Sequence, residues 1–405
     1  MPDFLILADD LTGAADTGAQ FALAGRSTVL LFEPDQPVEA SVLVINSASR
    51  DLCAKEASAA VRKVLTELSR QKPLAEFKRI YKKIDSTLRG SPAVELDTLL
   101  EISQEQRVLV APAYPGQGRT TRNGFVWIQG TPLSQTAFAS EAGNGDLRQL
   151  FGENATLLPL ATVRMGGSAV QAALGQQSGI ILADAENNDD LFSVAQAAVE
   201  LGIRVFCGSA GLAGALNRLS WPDSGVHAML PLKHNSAEEN AERRVILGVA
   251  GSLHSITIAQ VAYARQRGIE ILTPPPVFFH EAGLAGVEET AVRLGALYHA
   301  RKPVILSTLP KEVIPNHLSS QEIGEKLART AVLNFPHGVP VGLFLTGGDT
   351  ALAVCRVMGC KQLRLGGEVE VGMPWSIADF GTLVTKAGGF GREDALMKGI
   401  DWLNK

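Results

Sequence analysis

Cysteine is scarce in this chain of 405 residues: Cys53, Cys207, Cys355 and Cys360 are the whole supply. No two of them stand in a C-x-x-C spacing, which excludes a disulfide scaffold and predicts reduced, mostly buried thiols of the kind the cytoplasm keeps. The 7 histidines form no H-E-x-x-H pair or Cys/His cluster, so a protein-bound zinc is not expected. No uncharged apolar run approaches the roughly 18 residues that cross a bilayer. No basic stretch precedes the short apolar run that follows Met1-Pro2-Asp3, so no export signal is expected. The formal net charge of -5 offers nothing to attract nucleic acid or an anionic membrane, and an anionic substrate must be captured by local basic residues. Neither G-x-x-x-x-G-K-[ST] nor G-x-G-x-x-G occurs, which argues against a P-loop ATPase and an ordinary dinucleotide-dependent oxidoreductase. A G-x-S-x-G elbow is missing too, because Cys207 stands where its first glycine would precede Ser209. Gly208-Ser209-Ala210-Gly211 therefore reads as a close-packed turn.

What is present is an ordinary globular composition, 46% hydrophobic and 20% charged, in a length that suits about two domains. Apolar runs of strand length at 4–8, 27–32, 41–45, 79–84, 107–112, 157–159, 179–184 and 204–207 alternate with helical patterns at 54–70, 168–174 and 189–201. Continuous apolar runs mark strands covered on both faces, and the alternation predicts a mostly parallel sheet flanked by helices. A polar, turn-rich stretch breaks the pattern, giving an N-terminal domain over 1–225, a linker over 226–242 and a C-terminal domain over 243–405. Beyond it the alternation restarts, with strands at 245–250, 269–273, 304–308, 341–345, 365–371 and 382–385 and helices at 256–267, 288–300, 321–333 and 393–403. Residues 125–133 read as an irregular or hairpin insertion with Gly130 and Pro132 as turn residues. The apolar insertion over 125–138 is a place to look for an interface in a homo-oligomer.

The chemistry gathers at strand ends. The first strand stops at Asp9 and Asp10, and Thr12 and Asp16 crowd the same helix start. An N-cap needs one such residue, so the excess points to a ligand at the carboxyl end of the strand. The fourth strand runs into Asp85-Ser86-Thr87-Leu88-Arg89, and the fifth leads to Arg119 and Arg122. Arginine clamps a carboxylate in a fork and aspartate accepts a hydroxyl proton, a combination that suits a small polyhydroxy acid. Lys82 and Lys83 face opposite ways on their strand, and Lys83 is the one expected at the pocket. In the second half, Thr346-Gly347-Gly348-Asp349-Thr350 carries a strand through glycines into a helix, where free N–H groups meet phosphate. A plain capped turn would look the same alone. Gly251-Ser252-Leu253-His254-Ser255 and Lys386-Ala387-Gly388-Gly389-Phe390-Gly391 repeat the arrangement, and the repetition favours phosphate.

Five blocks, Ile6 to Thr17, Lys82 to Gly90, Pro112 to Arg119, Thr346 to Ala351 and Val384 to Gly391, together resemble the four-carbon acid sugar kinase family. They keep the family's order and span nearly the whole chain. The resemblance implies two α/β domains with the active site in the cleft between them, an acid sugar on the N-terminal domain and ATP on the C-terminal one. It implies phosphorylation of the 4-hydroxyl of D-threonate foremost, or of D-erythronate or 3-oxotetronate, with Mg²⁺ as the metal. Asp9, Asp10, Asp85, Ser86 and Arg89 match the sugar side, with Lys83 or Arg119 as further carboxylate holders. Ser252, Gly347, Gly348, Asp349, Thr350, Gly388, Gly389 and Gly391 match the nucleotide side. Asp10 is expected to take the hydroxyl proton, and Asp9 or Asp349 to meet the metal. His254 departs from the small polar residue usual in the family, which leaves both Ser252 and Ser255 as phosphate contacts. A non-catalytic two-domain acid-binding protein is the competing class, but phosphate-type loops would have no purpose in it. An oxidoreductase on the same acids lacks its dinucleotide fingerprint.

Overall fold

The five residues Phe4–Ala8 are apolar and buried throughout, and they form β1, the strand around which the first sheet is laid. The computed structural model describes residues 2–219, 244–279, 284–308, 314–315, 317–336 and 338–405. The chain divides into two compact units, Met1–Met229 and Leu230–Lys405. The linker expected at 226–242 lies outside the described residues.

In the first unit the strands after β1 are β2 (Thr28–Leu31), β3 (Val42–Asn46), β4 (Arg79–Lys83), β5 (Arg107–Ala111), β6 (Arg119–Arg122), β7 (Phe125–Ile128), β8 (Thr131–Pro132), β9 (Thr156–Leu158), β10 (Gly179–Ala183) and β11 (Val205–Gly208). The main sheet runs β2-β3-β1-β4-β11-β5-β10-β9, and every pairing in it is parallel. Helices cover both faces, so Leu5, Leu7, Ile80, Val108 and Val205 are buried without any polar alternation. From β1 the chain fills one side of the sheet with β2 and β3 and then crosses to place β4 on the other. The carboxyl ends of β1, β3 and β4 therefore meet at a topological switch point, where open α/β sheets take their ligands. Register keeps those ends level, with Ala8 opposite both Asn46 and Lys83.

The second unit holds β12 (Val245–Ala250), β13 (Glu270–Leu272), β14 (Val304–Ser307), β15 (Val341–Thr346), β16 (Gln362–Glu370), β17 (Met373–Ala378) and β18 (Gly381–Lys386). Its order is β13-β14-β12-β15-β18-β17-β16, parallel as far as β18 and antiparallel after it. Ala250, Thr346 and Lys386 stand side by side in the register, so the loops that follow β12, β15 and β18 leave the sheet at one end.

Several elements differ from the sequence reading. Arg119–Arg122 is a strand where a loop was expected, because it pairs with β7 across a tight turn at Asn123 and Gly124, both at positive φ. Pro132 lies in β8, and the turn before it is Gln129-Gly130. Val126, Ile128 and Leu133 of this insertion are buried in the unit's own core, leaving Phe125 as its exposed large apolar side chain. Met373–Ala378 is a strand that Pro374 disguises. Gly208 and Gly211 do pack tightly, and Ser209 then caps a helix over Ala210–Asn217. Cys53 is exposed, contrary to the expected burial, because it caps the helix Ala54–Ser69 at the surface. Among the described residues no helix is long and apolar enough to cross a membrane.

Candidate active site

Asp10 is indeed an N-cap: its Oδ1 accepts from the Gly13 N–H at 2.8 Å and opens the helix Leu11–Leu23. The cap is only part of its work. Oδ2 of the same carboxylate accepts from Thr12 at 2.5 Å and pairs with Nη1 of Arg50 at 2.7 Å. Arg50 turns its other edge to Asp9, giving Nε and Nη2 to the two carboxylate oxygens at 2.7 and 2.8 Å. One guanidinium from the loop after β3 thus clamps both acids that follow β1. Burial pushes the Asp9 carboxyl up, but Arg50, Lys82 and Lys83 outweigh it and hold Asp9 below the usual range. Burial also opposes the Arg50 charge, and Asp10, Asp9 and Asp85 together raise its pKa well above the ordinary value.

The two lysines of β4 part company. Lys82 is fully buried and pairs with Glu95 at 2.6 Å, where burial is overcome by Glu95 and Asp9 and its pKa rises. Lys83 lies over the first turn of the opening helix, so close that a Cβ on Gly13 would stand 2.5 Å from Nζ. Just past β4, Asp85 takes Nε and Nη2 of Arg89 at 2.8 and 3.3 Å and a short hydrogen bond from Thr87. Burial raises the Asp85 carboxyl, but Arg89 and Arg50 bring it well below the carboxylate range. Asp85 also raises the pKa of Arg89. The Ser86 hydroxyl beside it is buried and makes no hydrogen bond among the described residues. Arg119 enters from β6 within electrostatic reach of Asp85 and Arg89, its pKa lowered by burial and partly restored by Asp85.

Beside this cluster opens a cavity of about 430 Å³, lined among others by Arg50, Arg89, Cys53, Ser91 and Glu141. Cys53 and Ser91 are the N-caps of the helices Ala54–Ser69 and Pro92–Ser103, so two positive helix ends border it with two guanidiniums. Asp85 fixes Arg89 by two nitrogens, while the third, Nη1, meets Glu141 loosely at 3.9 Å. That edge is the one placed to receive an anion. Arg50 and its cavity were missed in the sequence. The available signal was its place four residues beyond a strand end, the position that drew notice to Asp9 and Asp85.

In the second unit Ser252 is the meeting point. A Cβ on Gly388 would overlap its hydroxyl, and one on Gly347 would lie 3.5 Å from its Cβ. Ser252 Oγ accepts the His254 N–H at 3.3 Å, and His254 Nδ1 caps the helix Ser255–Gln266 by accepting the Ile256 N–H at 3.2 Å. Ser255 is exposed on that helix, so Ser252 is the serine that the three loops enclose. Gly347, at φ 99°, lets β15 turn into the helix Gly348–Val357 with no side-chain cap on its N–H groups. Asp349 and Thr350 lie in that first turn. Gly389 approaches His254, whereas Gly391 packs toward Ala395. These residues fit a phosphate chain: uncapped N–H groups, a hydroxyl and a wall that only glycine leaves open. Gly388→Ala would drive a methyl onto the Ser252 hydroxyl and is expected to weaken binding of a phosphate chain about tenfold or more, ~1.4 kcal/mol. Calorimetric titration of wild type and variant with pyrophosphate measures it.

Among the described residues no group of three or more His, Cys, Asp or Glu is arranged to hold a metal ion. Asp349, in the first turn of the helix Gly348–Val357, fits the habit of Mg²⁺ of binding through one carboxylate and waters.

The chain matches the model of a sugar-binding N-terminal domain over residues 4–216 and that of a nucleotide-binding C-terminal domain over 247–396. It is 33% identical to a D-threonate kinase of Salmonella typhimurium, covering 99% of this chain and 98% of that one. It is 26% identical to a D-erythronate kinase of Heliobacterium modesticaldum, over 100% of this chain and 97% of the relative. A solved structure from Salmonella typhimurium LT2 shares the fold with a TM-score of 0.76 at 22% identity, over 98% of each chain.

Proposed function

The chain belongs to the four-carbon acid sugar kinase family, and we propose that it phosphorylates the terminal 4-hydroxyl of D-threonate, ahead of D-erythronate or 3-oxo-tetronate. The observation that carries this reading is the division of labour: guanidiniums and aspartates at the switch point of one sheet, phosphate-type loops at the end of the other. The higher identity to the D-threonate kinase favours that acid. A cytoplasmic location goes with the reading, since ATP is supplied there and all four cysteines are free.

Each residue then has a task. Arg89 Nη1 holds the carboxylate at the cavity, with Arg119 and Lys83 adding positive charge and the Ser86 hydroxyl within the same turn. Asp85 holds Arg89 in place, and Asp9, with both oxygens on Arg50, holds Arg50. Asp10 is the more open of the two acids, its side chain 12% exposed against 4% for Asp9, and it accepts the proton of the 4-hydroxyl. Ser252, Gly347, Gly348, Thr350, Gly388 and Gly389 cradle the phosphates, and Gly391 supports the loop from behind. Asp349, in the first turn of the helix that follows the phosphate-type loop, is the carboxylate that meets Mg²⁺, directly or through water. ATP supplies the phosphoryl group and Mg²⁺ neutralises its charge, so the protein's part is positioning and electrostatics.

The test is a panel of four-carbon acids with ATP and Mg²⁺. Acid-dependent ADP release, with kcat/KM greatest on D-threonate, is expected. If no acid stimulates ADP release, the reading is wrong.

A further inference from the structure

Two buried lysines differ in how their charge is matched. Lys82 is buried beside Glu95, and its charge is matched. Lys386, at the end of β18, is as deeply buried, with 1% exposure, yet no carboxylate pairs with it among the described residues. Its Nζ donates instead to three backbone carbonyls, Ala387 at 2.9 Å, Gly388 at 3.4 Å and Phe390 at 3.1 Å. Backbone dipoles solvate an ammonium only in part, and a buried cation without a counter-ion is costly.

The geometry around it says where the counter-ion belongs. Thr257 also donates to the Gly388 carbonyl, at 2.9 Å, and Gln260 to that of Phe390, at 3.1 Å. The carbonyls of the loop are therefore drawn inward. The N–H groups of Gly388 and Gly389 make no hydrogen bond among the described residues, and such free, successive N–H groups form an anion-binding concavity. This is the loop that closes on Ser252.

We propose that Lys386 is the positioning residue of the nucleotide loop and the buried counter-charge to the nucleotide's phosphates, taking up a proton as they bind. The proposal rests on the kinase reading and adds a role that reading does not require. Burial pushes Lys386 down to about 7, with Glu370 offsetting it slightly. Glu370 is itself held by Lys398 at 2.9 Å. β15 and the helix Ser255–Gln266 bring Thr346, Thr257 and Gln260 to this region, none of them titratable, and His254 lies beyond Gly389. The three donated hydrogen bonds need the ammonium's three protons, and burial without a paired counter-ion lowers the pH at which the free protein gives one of them up. An arriving anion favours the charged form.

Calorimetry of ADP binding at pH 8, in two buffers of different protonation enthalpy, reads the proton directly, because phosphate groups with a second pKa near ~6 are already ionised there. Net proton uptake on binding is expected at pH 8 and should exceed that at pH 7. The dissociation constant should rise between those pH values as the free lysine empties, by up to about tenfold, the limit for one proton per pH unit. Lys386→Met should bind ADP more weakly without proton uptake at pH 8. Lys386→Arg, permanently charged, should bind with a flat pH profile. Wild-type binding with no proton uptake at pH 8, or the same uptake in Lys386→Met, overturns the inference while leaving the kinase reading intact. No ADP binding by the wild type at either pH would bring down both.

Discussion

Replacing Arg50 with methionine should abolish the acid site and destabilise the first unit together. The guanidinium is the shared partner of Asp9 and Asp10 and acts on Asp85 across the cavity. Its removal leaves the buried Asp9 and the partly buried Asp10 without their shared partner, and breaking a buried pair costs about 3–5 kcal/mol. For a unit of this size the thermal midpoint should fall by roughly 6–20 °C. The acid dependence should change as well. Asp9 and Asp85 are both depressed in the folded protein, so their stabilisation is present above the ordinary carboxylate pKa, near ~4, and is lost as the pH falls below it. In Arg50→Met the depression is relieved, and the variant should lose proportionately less stability on acidification. Lysine should rescue poorly, since one point charge cannot fork onto Asp9 and reach Asp10. Thermal melts of both variants between pH 3 and pH 7 measure this. A wild-type-like melt for Arg50→Met would remove Arg50 from the centre of the site.

The second large effect concerns turnover. Asp10→Asn keeps a carbonyl to cap Gly13 but offers neither a charge to Arg50 nor a base to the hydroxyl. General-base removal lowers kcat by about 10²–10⁴-fold. Because Asp10 lies in the first unit, ADP affinity should be unchanged, and this separates lost chemistry from a damaged nucleotide loop. Single-turnover phosphorylation, measured beside ADP binding and a melting curve, reads all three. Near-normal turnover in a folded variant would assign the base elsewhere.

How far the sequence spoke follows from which forces are local. Strands buried on both faces are apolar runs that stop abruptly, so β1, β4, β5, β12 and β15 and the polar residues at their ends were visible in order. Asp10 as a helix cap was visible because a cap uses sequence neighbours. Arg50 was not, since its partners lie 41 residues away and nothing local marks a loop arginine as buried. The choice between Lys82 and Lys83 turned on Glu95, a helix residue whose inward face no strand pattern reveals. β6 was hidden because its residues, Arg119-Thr120-Thr121-Arg122, become a strand only through pairing with β7. Lys386 stood in plain view, but its significance lies in the carbonyls around it and in the lack of a paired carboxylate among the described residues.

The central claim is phosphoryl transfer to the terminal hydroxyl of a four-carbon acid. Phosphorus NMR of the reaction with D-threonate and ATP tests it most directly. The account predicts ADP and a single phosphomonoester whose phosphorus couples to the two protons at C4. Phosphate at C2 or C3, or inorganic phosphate as the sole product, would contradict it.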